Sequence, residues 1–318
     1  ATSENDIRQS IAQTYIQILY AAESVKVNEN TLQVSEAQRD RGKQLLDAGS
    51  IARSDYAQLE AQVSTDRYQL VTAQATLQDY KLQLKQLLEL DGEQEMQIYL
   101  PVLGDENVLS PLPTKADVFQ AAVALRPEIE ASKLSVEASE LGIGIARSGY
   151  LPSVSLTAGI GTNHTSGSDF TFGEQVKNGW NNSIGLSISV PIFNNRQTKS
   201  AVEKAKLQYQ TSQLTLLDEQ KTLYKTIEGL WLDANSAQQR YAAAVEKLRS
   251  TQTSYELISE QFNAGMKNTV ELLTEKNNLL QAQQELLQSK YMAILNTQLL
   301  KFYQGDELTG LTAENKNI

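Results

Sequence analysis

The chain's single histidine, His164, stands in a polar stretch, TNHTSGSD, and the 318 residues include no cysteine. Disulfides and thiolate metal sites are therefore excluded, and one imidazole is too few for a histidine-based metal centre. His164 reads as a solvated side chain. Asn163-His164-Thr165 matches a glycosylation acceptor, a pattern short enough to arise by chance. Carboxylates are plentiful but show no pairing suited to acid–base work, so neither catalysis nor a cofactor is expected. Two carboxylates do share a setting: Asp55 follows Ala48-Gly49, and Glu271 follows Ala264-Gly265 at the same spacing. There a carboxylate can accept first-turn N–H groups and favour the positive end of a helix. Asn268-x-x-Glu271 reads as a capping box.

The elements that would position these groups are long helices. Ile7, Ile11, Tyr15, Ile18, Ala22, Val25 and Leu32 recur at steps of three, four or seven, a coiled-coil-like seam running to about Asp47. DAGSIARSD then supplies a stop at Gly49 and a restart at Ser54 or Asp55. A second helix follows through Tyr56, Leu59, Val63, Leu70, Leu77, Leu84 and Leu87, making residues 1–91 a helical hairpin. An offset of 216 residues lays Ala48-Gly49 on Ala264-Gly265 and aligns 11–70 with 227–286 without a gap. Ile11 then meets Ile227, Leu32 meets Leu248 and Asp55 meets Glu271. Coiled coils can match by chance at the heptad level, but coincidence of the turn with both helix lengths points to duplication. Between the hairpins lie a connector rich in turn formers (92–125) and a helix leading to strands (126–149, starting at Pro127). An alternating pair of strands follows (150–193, with a loop over 162–181). The second hairpin covers 194–305 and a polar tail 306–318.

The strands break the helical pattern. Ile184, Leu186, Ile188 and Val190 alternate with Ser183, Gly185, Ser187 and Ser189; Val154, Leu156, Ala158 and Ile160 alternate with Ser153, Ser155, Thr157 and Gly159. A segment of nine or ten residues with this dyad can cross a bilayer as part of a barrel. Tyr150 and Trp180 at the strand ends suit an interfacial girdle. The alternative is a hairpin packed on a soluble core, but no other strand-rich region exists to supply one.

Composition limits the partners. The net charge of −10, with lysines and arginines scattered singly, argues against nucleic acid. Gln, Leu, Ala, Lys and Glu dominate and aromatics make up 7%, which suits elongated helices with narrow seams.

RPEIEA, then ARSGYLPSVSL, then SVPIFNNRQTKSAVEKAK resemble the outer-membrane efflux proteins, the TolC-like export ducts. The paired A-G turns inside twin hairpins strengthen the resemblance, which covers nearly the whole chain. It implies a mainly α fold, two long antiparallel coiled-coil hairpins plus one transmembrane-type β-hairpin. In that family three protomers form a periplasmic helical tunnel beneath a twelve-stranded outer-membrane barrel. The implied role is a passive duct, not an enzyme, in a tripartite efflux or secretion system of a Gram-negative bacterium. Its implied partners are a periplasmic adaptor, an inner-membrane pump, outer-membrane lipid and two further copies of the full-length protein. A periplasmic adaptor or a coiled-coil scaffold is the alternative. One departure stands out: the first repeat's helix and strand pair would lie ahead of Ala1. The chain is thus expected to be part of a longer protein, since three copies would supply six strands.

The resemblance also implies site residues. Ala48, Gly49, Ala264 and Gly265 would form the tip where an adaptor docks. Ser54 and Asp55 of the first hairpin, with Phe262 and Lys267 of the second, would hold the duct closed, Asp55–Lys267 forming a latch. Glu271 would contribute to an acidic ring favouring cations at the constriction. A second acidic position one turn on is Thr274 here, which weakens that ring. Helix capping by Asp55 and Glu271 is compatible with both roles.

Overall fold

The computed structural model of the chain describes residues 2–90, 98, 99, 101, 104, 108–167 and 169–306. Its elements are α1 (Thr2–Asp47), α2 (Arg53–Leu87), α3 (Lys115–Leu125), α4 (Pro127–Ser148), β1 (Ser153–Gly161), α5 (Phe172–Asn178), β2 (Asn181–Ser189), α6 (Gln197–Asn263) and α7 (Thr269–Gln304). Much of the expected connector, and residues 307–318 of the expected tail, lie outside the described residues. The chain divides into two compact units, Ala1–Glu128 with Gln220–Ile318, and Ile129–Glu219. No described helix is long and apolar enough to cross a membrane.

In the first unit, α1 and α2 form one hairpin, and α7 with the adjoining part of α6 forms the other. The core between them is built from alanines, branched aliphatic groups and two tyrosines: Ala12, Ile16 and Leu19 of α1 meet Ala237 and Tyr241 of α6 and Tyr291, Ala293 and Ile294 of α7. Small residues let helix axes approach closely along narrow seams. The seam in α1 differs from the expected one. Ile7 is exposed, and the helix buries Asn28, Thr31 and Ser35, polar residues that apolar periodicity passes over.

The connector is fastened to the second hairpin by hydrogen bonds. Gln238 Nε2 donates to the carbonyls of Val108 (2.9 Å) and Ser110 (2.8 Å), and Trp231 Nε1 donates to that of Pro113 (3.0 Å). Thr114 caps α3 by accepting from the Asp117 N–H. The helix ends just before Arg126, whose guanidinium lies 3.8 Å from the Tyr303 ring centroid and 4.8 Å from that of Phe302. Such stacking of a cation on ring faces suits the planar guanidinium group.

In the second unit, β1 and β2 pair antiparallel, with Val154 opposite Ile188, Leu156 opposite Leu186 and Ala158 opposite Ile184. Ser155 faces Ser187 and Thr157 faces Gly185 on the other side. Asn195 and Arg196 take left-handed backbone conformations (φ 47° and 63°) and turn the chain from β2 into α6. Ser132 donates to Glu219, joining α4 to α6. The loop between the strands holds a helix that the strand–loop–strand reading did not include. α5 is capped by Thr171, whose N–H donates to Glu174 (2.9 Å). Thr171-x-x-Glu174 is the sequence signal that could have marked it.

Candidate functional site

Two surfaces of the molecule invite a function: the apolar face of the β-hairpin and the turn ends of the two helical hairpins.

On the β-hairpin, both faces are open. Ile184 is 84% exposed and Leu156 73%, and Leu186, Ile188, Val154 and Ile160 are exposed as well. Just beyond β2, Ile192 and Phe193 are 97% and 85% exposed. A lone aqueous hairpin gains almost nothing from alternating its residues when neither face is covered. A row of six large aliphatic side chains on one face calls for an apolar neighbour. Nine-residue strands fit the length of a tilted membrane-barrel strand. Tyr150 and Trp180 are exposed near the strand ends.

At the turn ends, the first hairpin closes with Gly49 N–H bonded to the Leu46 carbonyl (2.9 Å) and Ser50 N–H to that of Leu45 (2.8 Å). In the second, Gly265 bonds to Phe262 (2.9 Å) and Met266 to Gln261 (2.8 Å). Both are Schellman closures, and both glycines have φ +74°. A side chain would strain either position. Ala48, Gly49, Ala264 and Gly265 are all exposed at the ends of the hairpins.

The expected latch residues lie around the two turns, each with partners inside the chain. Lys267, just ahead of α7, bonds Glu271 in that helix's first turn at 2.6 Å, and the described ion pairs within the chain do not include Asp55–Lys267. The two stand four residues apart across the start of α7. Asp55 accepts from the Ala52 N–H (3.3 Å) in the first turn of α2, and Ser54 beside it is exposed. Glu271 also accepts from the Asn268 N–H (3.2 Å) while Asn268 Oδ1 accepts from the Glu271 N–H (2.9 Å), a complete capping box. The Lys267 ammonium, and then the Asn268 N–H, hold the Glu271 carboxyl below the ordinary carboxylate range. Thr274 bonds back to the Val270 carbonyl (2.8 Å).

Phe262 lies in the interior at the second turn. It is 2% exposed and packs with Leu45, Leu59 and Leu272, one residue from each of the other three helices, with Ile51 and Tyr255 against them. The turn ends are thus held together by one apolar cluster shared by both hairpins. Gly42 belongs to this packing, because a Cβ there would collide with Leu59 Cδ1.

Sequence reasoning missed the polar links between the hairpins. Gln38 Nε2 donates to the Tyr255 hydroxyl (2.7 Å) and Arg41 Nη2 to the Asn263 carbonyl (3.1 Å). Farther from the turns, Lys276 of α7 bonds Asp66 of α2 and Ser35 of α1, and Ser35 in turn bonds Asp66. All three are almost fully buried: 3%, 2% and 2% exposed. Burial pushes the Lys276 ammonium down, and the Asp66 carboxylate opposes that shift. The available signal was a polar residue at a seam position, Asp66 after Leu59 and Val63, and Lys276 between Leu272 and Leu279.

The first unit thus carries twin hairpins closed by duplicate glycine turns, and the second a β-hairpin that presents an aliphatic row. Residues 118–305 match the outer membrane efflux protein family, and the chain belongs to that family. It is 25% identical over 308 residues to the outer membrane protein TolC of Escherichia coli, covering 93% of this chain and 60% of that protein. It is 24% identical to the outer membrane efflux protein BepC of Brucella suis, covering 92% of this chain and 61% of BepC. The chain thus spans about three fifths of the length of these relatives. The fold is that of solved structures of CusC (TM-score 0.80, 20% identity, 95% of this chain and 69% of that one). It also matches the outer-membrane channel OprN (TM-score 0.77, 19% identity, 97% and 68%).

Proposed function

We propose that this chain is part of the outer-membrane channel of a tripartite efflux or secretion system, a passive duct for small molecules or proteins and not an enzyme. The observation that carries the reading is the exposed aliphatic row of the β-hairpin in a member of the outer membrane efflux protein family. Lipid is the neighbour such a row requires, and a barrel is the form in which strands satisfy their backbone within lipid. In the full-length protein three protomers would complete the barrel and enclose a tunnel with 1–91 and 194–305 as its walls. The connector 92–125 would brace them, with 126–149 leading into the barrel strands and the 162–181 loop outside. The exposed turns Ala48-Gly49 and Ala264-Gly265 would meet a periplasmic adaptor, itself coupled to an inner-membrane pump. Ser54, Asp55, Phe262, Lys267 and Glu271 lie around these turns, and we assign them to the constriction. Phe262 would act there by packing, Glu271 by its charge. Within one chain Lys267 offsets that charge, which supports a weak acidic ring.

The test uses the full-length protein in a Gram-negative host. It is expected in the outer-membrane fraction, and when purified it should conduct ions across a planar lipid bilayer. Ile184→Arg with Leu186→Asp places a charge on each of two neighbouring lipid-facing positions. An arginine at the bilayer midplane costs a barrel about 2–4 kcal/mol, an acidic residue less. That variant should leave the outer-membrane fraction, whereas Ser187→Asp on the opposite face should remain. Equal partitioning of both variants would refute the lipid assignment.

A further inference from the structure

α7 buries leucine at 272 (0% exposed) and again at 279 (9%), and between them, in the same seam, it buries Lys276. An aliphatic residue at that place would continue the pattern at no cost in desolvation. A buried ion pair is seldom more stable than well-packed apolar residues, and its best-attested use is to fix register between helices. The network also has no duplicate. At the 216-residue offset Ser35 falls on Thr251, Asp66 on Ala282, and Lys276 on Glu60. The repeat that generated both glycine turns therefore did not generate this contact. It ties one helix of the second hairpin to both helices of the first.

Its position divides the contact between the hairpins into two regions. Away from the turns, a broad core joins α1 to α6 and α7, with Lys290 facing Glu23 across it (3.9 Å). Toward the turns the joints are the four-residue apolar cluster and the Gln38–Tyr255 and Arg41–Asn263 hydrogen bonds. From Ser35 to Gly49 is about 21 Å along α1, and from Lys276 back to Gly265 about 17 Å, at 1.5 Å per residue.

We propose that the buried Ser35–Asp66–Lys276 network is a fulcrum. It keeps α7 in fixed register on α1 and α2 while the hairpins separate only in the 20 Å or so between it and the two turns. The inference rests on the duct reading and specifies how far the opening extends. Without the network, the moving segment lengthens toward the broad core, and the mouth opens wider and less reproducibly. Ser35 and Asp66 act through Lys276 as positioning residues.

The experiment measures single-channel conductance of the full-length protein in planar bilayers. Asp66→Leu with Lys276→Met removes the network without leaving a buried charge unpaired, and the variant's melting temperature is recorded to confirm that it folds. Mean conductance is expected to rise two- to fivefold with a broader spread. Glu23→Cys with Lys290→Cys, bridged by a short bis-maleimide in that background, should narrow the spread but leave the mean raised, because the bridge fixes the hairpins about 18 Å farther from the turns than Ser35 does. The same bridge in the otherwise wild-type protein should change nothing. Wild-type conductance in the Asp66→Leu, Lys276→Met variant would overturn the fulcrum, as would a return to the wild-type mean on bridging. A wild-type protein that does not conduct would instead refute the duct reading.

Discussion

The two glycine turns, 216 residues apart, close with the same hydrogen bonds and the same φ, yet the helices that leave them start differently. α7 begins with the complete Asn268–Glu271 capping box, whereas the cap of α2 is Ala52, which has no side-chain acceptor and keeps only the Asp55 arm. The residues before the turns differ too. Phe262 is buried among all four helices, while its counterpart Leu46 is half-buried. Duplication thus preserved the backbone device, which depends on one glycine. The side chains around it diverged, because each copy packs against a different neighbour.

That divergence predicts unequal responses to equal changes. Phe262→Ala should be the most damaging, by about 3–5 kcal/mol, while Leu46→Ala should cost roughly 1 kcal/mol, since part of its surface already meets water. The check is the urea midpoint of the detergent-solubilised full-length protein, followed by its helical circular dichroism. Similar midpoints would mean that Phe262 does not anchor the four helices.

Gly49→Ala and Gly265→Ala should instead match each other, each costing about 1–2 kcal/mol. Nothing lies within 4 Å of a Cβ built at either position, so only backbone strain contributes. A clear inequality would show that the turns are not mechanical equivalents.

Converting one cap into the other is a gentler test. Ala52→Asn should stabilise the first hairpin by about 0.5–1 kcal/mol, and Asn268→Ala should weaken the second by about 1 kcal/mol. Hydrogen exchange in the first turns of α2 and α7 would register both changes.

The smallest effect concerns pH. The folded-state pKa of Glu271 is depressed below its ordinary value of 4.5, so its contribution is complete above that value. It is lost as pH falls through the lower, folded-state value. Lys267→Ala should move the Glu271 titration, followed by carboxyl-carbon NMR, upward toward 4.5. An unmoved titration would assign the depression to the cap alone.

Much of the architecture was legible beforehand. α4 starts at Pro127, both glycine turns fall where the repeat placed them, and the aliphatic residues of the paired strands share one face as their dyad required. Each of these rests on local chemistry: a fixed φ, a left-handed residue, a two-residue period. The inter-hairpin contacts were illegible for the opposite reason. Gly42, Ser35, Asp66 and Lys276 look like surface or spacer residues along their own helices, and only a partner far away in sequence makes them core.

By itself, then, the sequence determined which segments are helix and strand, where the long rods reverse, and that one ribbon carries an aliphatic face. Those properties follow from residue period and from glycine's backbone freedom, and they need no distant partner. Tertiary structure alone decided which rods touch, that Phe262 unites four of them, and that a lysine sits buried opposite an aspartate. Burial and pairing are set by the neighbour a residue meets, and a seam position carries no label for the helix that will cover it.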